Sequence, residues 1–373
     1  MLKRLHIQNF TVFADVDFEF GPGLNVLVGN NGTGKSQTLK LGYAILQTVS
    51  FAEQIKRNKP KDEFDPKDFQ LSVGIILTSR LSAAFLPGTQ NKLVRESLNA
   101  KDAYVNATFD SDDAGFSFSI KYSDKPLNSV GPSQPPQLST EVAPPVFIPA
   151  KEILSLMPDI VGISEKNPDV FDSTYSDLAT QLTIRTPRNA PAFAQPVLAK
   201  WAEIMQGTIQ SEDGRFYFYP NNGSRLRVGL AAEGFRKLGT LAHLLANGSL
   251  TKNATLFWDE PESNLNPALL RELAKVLAEL ARQGFQIILA THSMGLLKEF
   301  HILSREKHKV QLPIQYFGLN AEPGQATTVL TRDDFEYLPD VVALDVELKQ
   351  ADDLEEIFAR EDRQFHANNR GEE

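Results

Sequence analysis

The chain has 373 residues, 42% hydrophobic and 23% charged, which is ordinary for a globular protein of one large or two medium domains. It has no cysteine, which excludes disulfides, thiolate metal centres and cysteine nucleophiles, and its six histidines show no metal-ligand spacing. The net charge of −9 is carried by residues 331–373, with 14 acidic and five basic residues, so the body before them is neutral.

The N-terminus lacks the apolar core of a signal peptide, and no stretch approaches the ~18 apolar residues of a membrane span. A cytoplasmic location without a membrane partner is therefore expected. Residues 5–10 and 16–20 alternate in the manner of an antiparallel hairpin. Gly21, Pro22 and Gly23 then turn the chain into an apolar run at 24–28. Residues 29–36 read Gly-Asn-Asn-Gly-Thr-Gly-Lys-Ser, the full G-x-x-x-x-G-K-[ST] pattern. Leu39, Gly42, Tyr43 and Leu46 follow at helical spacing, so the pattern lies between a strand and a helix. Glycines there let backbone N–H groups converge on a polyphosphate at the positive end of the helix. Lys35 would reach the β- and γ-phosphates, and Ser36 would ligate Mg²⁺. The sequence thus points to a nucleoside triphosphate.

Further on, the β-prone runs at 71–77 and 116–120 are expected as strands, and residues 126–145 as a surface loop. Residues 146–150 read as a buried strand running into a helix at Lys151. A helical insertion is expected at about 160–212, interrupted by Pro187, Pro191 and Pro196. Residues 216–219 and the turn at 220–223 read as a hairpin. There is no internal repeat and no heptad long enough for a coiled-coil arm.

Residues 255–258 form an apolar strand ending in Asp259, Glu260, Pro261 and Glu262. Asp259 would hold Mg²⁺ through water, and Glu260 would accept a proton from the attacking water. Asn266 caps the next helix with Pro267 at its first position, Leu270, Leu273, Leu277 and Leu280 give its buried stripe, and Gly284 ends it. The strand at 285–290 delivers Thr291, His292 and Ser293 at its tip, with His292 as a γ-phosphate contact.

This order of motifs resembles the ABC ATPase fold, and within it the SMC, RecF and OLD-type branch more than transporter subunits. The run at 5–10 with Phe13, Glu262 in place of the usual transporter Thr, and the helix start at 264–267 carry the distinction. The resemblance covers roughly residues 1–50 and 145–300. It implies an α/β P-loop ATPase of the RecF/SMC head type over residues 1–330, with an N-terminal antiparallel β lobe and the helical insertion, then an acidic tail at 331–373. It also implies a signature segment, for which residues 230–237 are the candidate, with Ala232 where Ser would stand. That departure implies slow hydrolysis. Lys151 and Glu152 are candidates for a Gln-loop. Segments like Glu-Gly-x-x-Lys and the Pro-Ala-Lys-Glu at 149–152 occur in stand-alone ATPases of bacterial anti-phage operons.

The implied site binds ATP and Mg²⁺ through Asn30, Asn31, Gly32, Thr33, Gly34, Lys35, Ser36 and Gln37, with Ser36 and Asp259 on the metal. Glu260, His292 and Lys35 are its catalytic residues. Glu233, Gly234, Arg236 and Lys237 would grip the γ-phosphate held by an opposite subunit, and Asn264 or Asn266 would sit between the two sites. The implied assembly is a homodimer, or a higher oligomer of such dimers, closing on two ATP molecules. OLD-type relatives often carry a Toprim nuclease, for which the segment after His292 shows no carboxylate cluster. A separate effector encoded nearby, such as a nuclease, is therefore expected as partner in anti-phage defence. The alternative is a RecF-like DNA-repair ATPase, for which Arg185, Arg188, Arg225, Arg227, Arg305, Lys307 and Lys309 are the basic clusters available. A transporter subunit is disfavoured by Ala232, Glu262 and the hairpin.

Overall fold

A computed structural model of the chain describes residues 1–58, 65–88, 90–95, 102–109, 115–121, 130–134, 142–157, 159–167, 169–306, 310–338, 349–350 and 352–361. The first part runs β1 (Leu2–Phe10), β2 (Phe13–Glu19), β3 (Leu24–Gly29), α1 (Lys35–Asn58) and α2 (Pro66–Phe85), then β4 (Asp102–Phe109), β5 (Gly115–Lys121) and β6 (Val130–Gln134). After β7 (Val146–Ile148) come three helices, α3 (Asp159–Lys166), α4 (Ser173–Leu182) and α5 (Gln195–Met205). β8 (Gly207–Glu212), β9 (Arg215–Pro220) and β10 (Leu226–Arg227) lead into α6 (Glu233–Ala246) and β11 (Thr255–Asp259). The chain closes with α7 (Pro267–Arg282), β12 (Gln286–Thr291), α8 (Met294–Ser304), β13 (Ile314–Asn320) and β14 (Thr328–Arg332).

The central sheet has the order β14-β13-β3-β12-β11-β7, parallel except for β14. Its strands β3, β12, β11 and β7 are buried on both faces, as a parallel sheet between two layers requires. Alternation then splits each strand between two cores. Val26, Val28, Leu256, Trp258, Ile287 and Leu289 join α4 to α8 on one side. Leu27, Phe257, Ile288 and Ala290 join α1, α2 and an antiparallel sheet, β2-β1-β4-β5-β6, on the other. Because β3, β11 and β12 run parallel, their C-terminal ends meet at one edge. Ligands collect at that edge in open α/β sheets.

The fold is the expected α/β type with the N-terminal antiparallel lobe, but several local expectations are corrected. Residues 71–77 are helical, not extended. Asp65 caps α2 by accepting from Lys67 N, with Pro66 at the helix start, and Phe69, Val73, Leu77 and Leu81 form a buried stripe of period four. A capped start and a helical stripe outweigh the β-propensity of Val, Ile and Leu. The loop anticipated at 126–145 contains β6, an edge strand whose Pro132 an edge tolerates, while residues 126–129 and 135–141 lie outside the described residues. No helix starts at Lys151. Instead the Glu152 carboxylate accepts from Ser155 N and Oγ and folds the segment into a 3₁₀ turn at Leu154–Leu156. Pro196 starts α5 rather than breaking it, and residues 207–212 of the anticipated insertion are strand β8, paired with β9. At the other end β14 reaches Arg332, and Phe335 and Leu338 are buried in the core, so the chain stays attached to the body beyond residue 330. Within the described part of the tail, residues 352–361 are helical and exposed.

Candidate functional site

The loop after β3 has the shape its glycines allow. Gly32 and Gly34 have φ of +84° and +95°, and a Cβ on Gly34 would lie 2.6 Å from the Phe13 ring. Only glycine fits there. Thr33 Oγ1 donates to Asn30 O at 2.8 Å and Thr38 Oγ1 to Gly34 O at 3.0 Å, which pins both ends of the turn. Asn30, Asn31, Gly32 and Ser36 are exposed around it, and α1 starts at Lys35 with no acid in its first turn. The result is a bare helix N-terminus ready for anionic oxygen. Lys35 itself is buried, and its Nζ donates to Gly29 O at 2.6 Å and Asn30 O at 2.9 Å. Burial lowers its pKa, opposed by the charges of Asp259, Glu260 and Glu262, so these residues from distant parts of the sequence share one site.

Asp259 ends β11 beside β12 and accepts a hydrogen bond from Ser36. Burial raises its pKa, which Ser36, Lys40 and Lys35 partly offset, while its Oδ1 is buried with no partner among the described residues. A buried carboxylate oxygen left open beside a serine hydroxyl fits a Mg²⁺ held by few protein ligands plus phosphate. Gln37 Oε1 is likewise buried and unpartnered.

Glu260 has φ of +46°, rare for a residue with a side chain, and its N–H donates to Ala290 O at 2.9 Å across to β12. His292 Nδ1 lies 3.5 Å from Glu260 Oε1 and 3.8 Å from Glu262 Oε1. Glu262 was passed over as a site residue by sequence reasoning, yet it organises this corner. Its Oε1 accepts from Thr291 Oγ1 at 2.7 Å and from His292 N at 3.2 Å, and its Oε2 is buried and open. The signal was the acid two places after the Asp-Glu pair, facing a Thr at the next strand tip. Tyr175 and Asp172 from the helical segment were also missed. The charges of both Asp172 and Asp259 act on the Tyr175 hydroxyl, whose pKa burial raises, and Lys40 Nζ pairs with Asp172 Oδ2 at 2.7 Å.

The candidate signature segment lies at the start of α6. Ala232 precedes the helix and Glu233 opens it, with no side-chain cap on its first N–H groups. Gly234 is buried, since a Cβ there would sit 2.9 Å from Leu269. Asn264, at φ +62°, donates to Glu233 Oε1 at 2.8 Å. Two expectations are corrected. Arg236 is tied to Glu152 at 2.7 Å, and Lys237 is 2% exposed, with Nζ donating to Glu260 O at 3.2 Å and to Ser263 Oγ. Both cations are held by their own subunit because α6 turns that face inward. Glu152 is thereby committed to Arg236 and Ser155.

Residues 24–298 match the family described as "AAA domain, putative AbiEii toxin, Type IV TA system". The chain is 37% identical over 70 residues to the DNA replication and repair protein RecF of Streptococcus uberis, 19% of each chain. It is 24% identical over 142 residues to the Old nuclease of Escherichia phage P2, 38% of this chain and 22% of that one. The chain therefore spans about a fifth of the length of these curated relatives. A solved SMC head bound to the C-winged helix domain of ScpA superposes with a TM-score of 0.52 at 16% identity, over 89% of this chain and 97% of that one. An SMC head with an extended coiled coil, bound to the C-terminal domain of ScpA derived from Pyrococcus furiosus, gives 0.52 at 14% identity over 95% and 99%. At such identities the likeness is one of fold.

Proposed function

Since the chain belongs to this AAA-domain family, among the ABC-type ATPases of the SMC, RecF and OLD branch, we propose that it hydrolyses ATP between two copies of itself. The observation that carries the reading is the convergence of Lys35, Ser36, Asp259, Glu260 and His292 at the C-terminal edge of β3, β11 and β12. Each residue has a role its surroundings support. The loop N–H groups and Lys35 bind phosphate oxygens, and Ser36 with the open Asp259 Oδ1 would hold Mg²⁺, which when bound supplies charge neutralisation. Glu260 takes a proton from the attacking water, and His292 faces the same space. The uncapped start of α6, at Ala232 to Gly234, is the segment offered to the nucleotide of the opposite copy. Asn264, joined to Glu233, or Asn266 would then sit between the two sites. Colorimetric phosphate release from MgATP tests the activity: turnover should be slow and should vanish in Lys35→Ala.

Closure driven by ATP and reopening after hydrolysis is a two-state element, suited to gating a separate effector. We assign that effector to a protein encoded nearby, a nuclease by the OLD precedent, in anti-phage defence, with the acidic tail or the 164–209 insertion as its docking surface. Because Phe335 and Leu338 belong to the core, the test is deletion of residues 339–373 rather than of the whole tail. Loss of co-purification with the neighbouring gene product places the docking on the tail; unchanged binding removes the tail and leaves the insertion.

The RecF relatives favour a second reading, binding of duplex DNA. Of its basic clusters, Arg185 and Arg188 are exposed. Arg225 is paired with Glu212 and stacked 3.8 Å over Tyr217, Arg305 is paired with Asp334, and Lys307 and Lys309 lie outside the described residues. Salt-dependent duplex binding that strengthens with ATP supports this reading over the first.

A further inference from the structure

We propose that Lys237 is a positioning residue for Glu260: it fixes the backbone of that residue from within the same subunit and makes the aim of the carboxylate follow the seating of α6. The inference rests on the ATPase reading above and assigns a role that reading lacks.

Glu260 leaves β11 in a left-handed conformation, φ +46°. For a residue with a side chain this costs roughly 1–3 kcal/mol and persists only where neighbours over-determine it. Those neighbours are specific. The Glu260 N–H is held by Ala290 O, and the Glu260 carbonyl accepts from Ser263 N at 3.1 Å, from Ser263 Oγ at 2.9 Å and from Lys237 Nζ at 3.2 Å. Lys237 also donates to Ser263 Oγ, which lies 3.1 Å from Ala150 O. One ammonium therefore joins the exits of β7 and β11 and the turn into α7. A Leu or Met would fill this space without giving up the hydration of a cation, so a buried lysine here is expensive unless its bonds matter.

The link has a direction. Lys237 projects from the first turns of α6, whose start carries the exposed Ala232 and the half-buried Glu233. Glu233 in turn holds Asn264 on the far side of the same turn, and Arg236 holds Glu152 beyond β7. A displacement at the start of α6, where a nucleotide of the other copy would press, is thus delivered to both ends of residues 260–264. Burial lowers the Lys237 pKa to about 8, opposed by Glu262, Glu233, Glu260 and Glu152, which leaves it cationic near neutrality.

Lys237→Met keeps the length of the side chain and removes its donors. With wild type alongside, three quantities are read: affinity for a fluorescent MgATP analogue, ATP-dependent dimerisation by light scattering, and single-turnover hydrolysis of MgATP. Affinity should stay within about threefold and the dimer should form, while hydrolysis slows by about ten- to a hundredfold, the scale of a misplaced catalytic group. Hydrolysis at the wild-type rate overturns the proposal. So does loss of the ATP-dependent dimer, which would return Lys237 to a grip on the opposite phosphate. Should Lys237→Met not fold, Ser263→Ala decides: a few-fold slower hydrolysis at unchanged affinity supports the role, and an unchanged rate overturns it. Wild-type protein that binds MgATP and never cleaves it fails the ATPase reading itself, whereas an active wild type with an equally active Lys237→Met fails only this assignment.

Discussion

Thr291 Oγ1 donates to Glu262 Oε1 across 2.7 Å, binding the tip of β12 to the turn that follows β11. The same carboxylate oxygen accepts from His292 N at 3.2 Å. The imidazole is half exposed, with Nδ1 3.5 Å from Glu260 Oε1 and 3.8 Å from Glu262 Oε1, and only Glu262 of these two also holds the His292 backbone, so the aim of the ring depends on this carboxylate. Glu262→Ala should therefore leave MgATP affinity near wild type and lower kcat by about tenfold, since it removes orientation rather than phosphate contacts. Steady-state kinetics check this; a rise in KM with unchanged kcat would put Glu262 in ground-state binding instead.

Gly34→Ala should damage the site through the backbone. At φ +95° with a Cβ 2.6 Å from Phe13, alanine is both strained and overpacked, at a cost of about 1–3 kcal/mol. The denaturation midpoint should fall and nucleotide affinity with it. Gly32, at φ +84° with no atom within 4 Å of its Cβ position, serves as the control. Gly32→Ala should show strain without the clash and hence a smaller loss, and equal losses would contradict the packing argument.

Lys237 makes stability depend on pH in a stated direction. Its folded pKa is lowered to about 8 by burial, whereas an unfolded lysine titrates near 10.4. Between those values the unfolded chain holds a proton that the folded chain has released, so the unfolding free energy rises with pH. Below about pH 8 both states are protonated and the cost of burying the charge is constant. The stability of wild type relative to Lys237→Met should increase from pH 8 to 10, by at most about 1.4 kcal/mol per pH unit. Urea denaturation of both proteins across that window tests it, and a flat difference would show that the ammonium is not buried in solution.

Much of this was legible in the sequence because it is local. The phosphate loop is written in glycines, whose φ of +84° and +95° residues with a side chain rarely adopt, and α7 in Asn266, which accepts from Leu269 N, and Pro267. The strand tips were readable because parallel pairing of β11 with β12 sets Asp259 beside Ala290, next to Thr291 and His292. What stayed hidden is long-range. Residues 71–77 carry β-branched residues in a helix that tertiary packing decides, with Gly74 against Pro132 of β6. Lys237 looked like a phosphate ligand because sequence gives its charge and spacing but not the face of α6 on which it lies. Arg236 and Glu152 are 84 residues apart, and nothing in either segment announces the pair.

The central claim is that two copies close on MgATP and that cleavage through Glu260 opens them. The most direct measurement is the molar mass of Glu260→Gln and Lys35→Ala by light scattering with and without MgATP. Glu260→Gln should become a stable dimer only when MgATP is present, and Lys35→Ala should keep the same mass in both conditions. Nucleotide-independent mass in Glu260→Gln, or an ATP-dependent dimer in Lys35→Ala, would contradict the account.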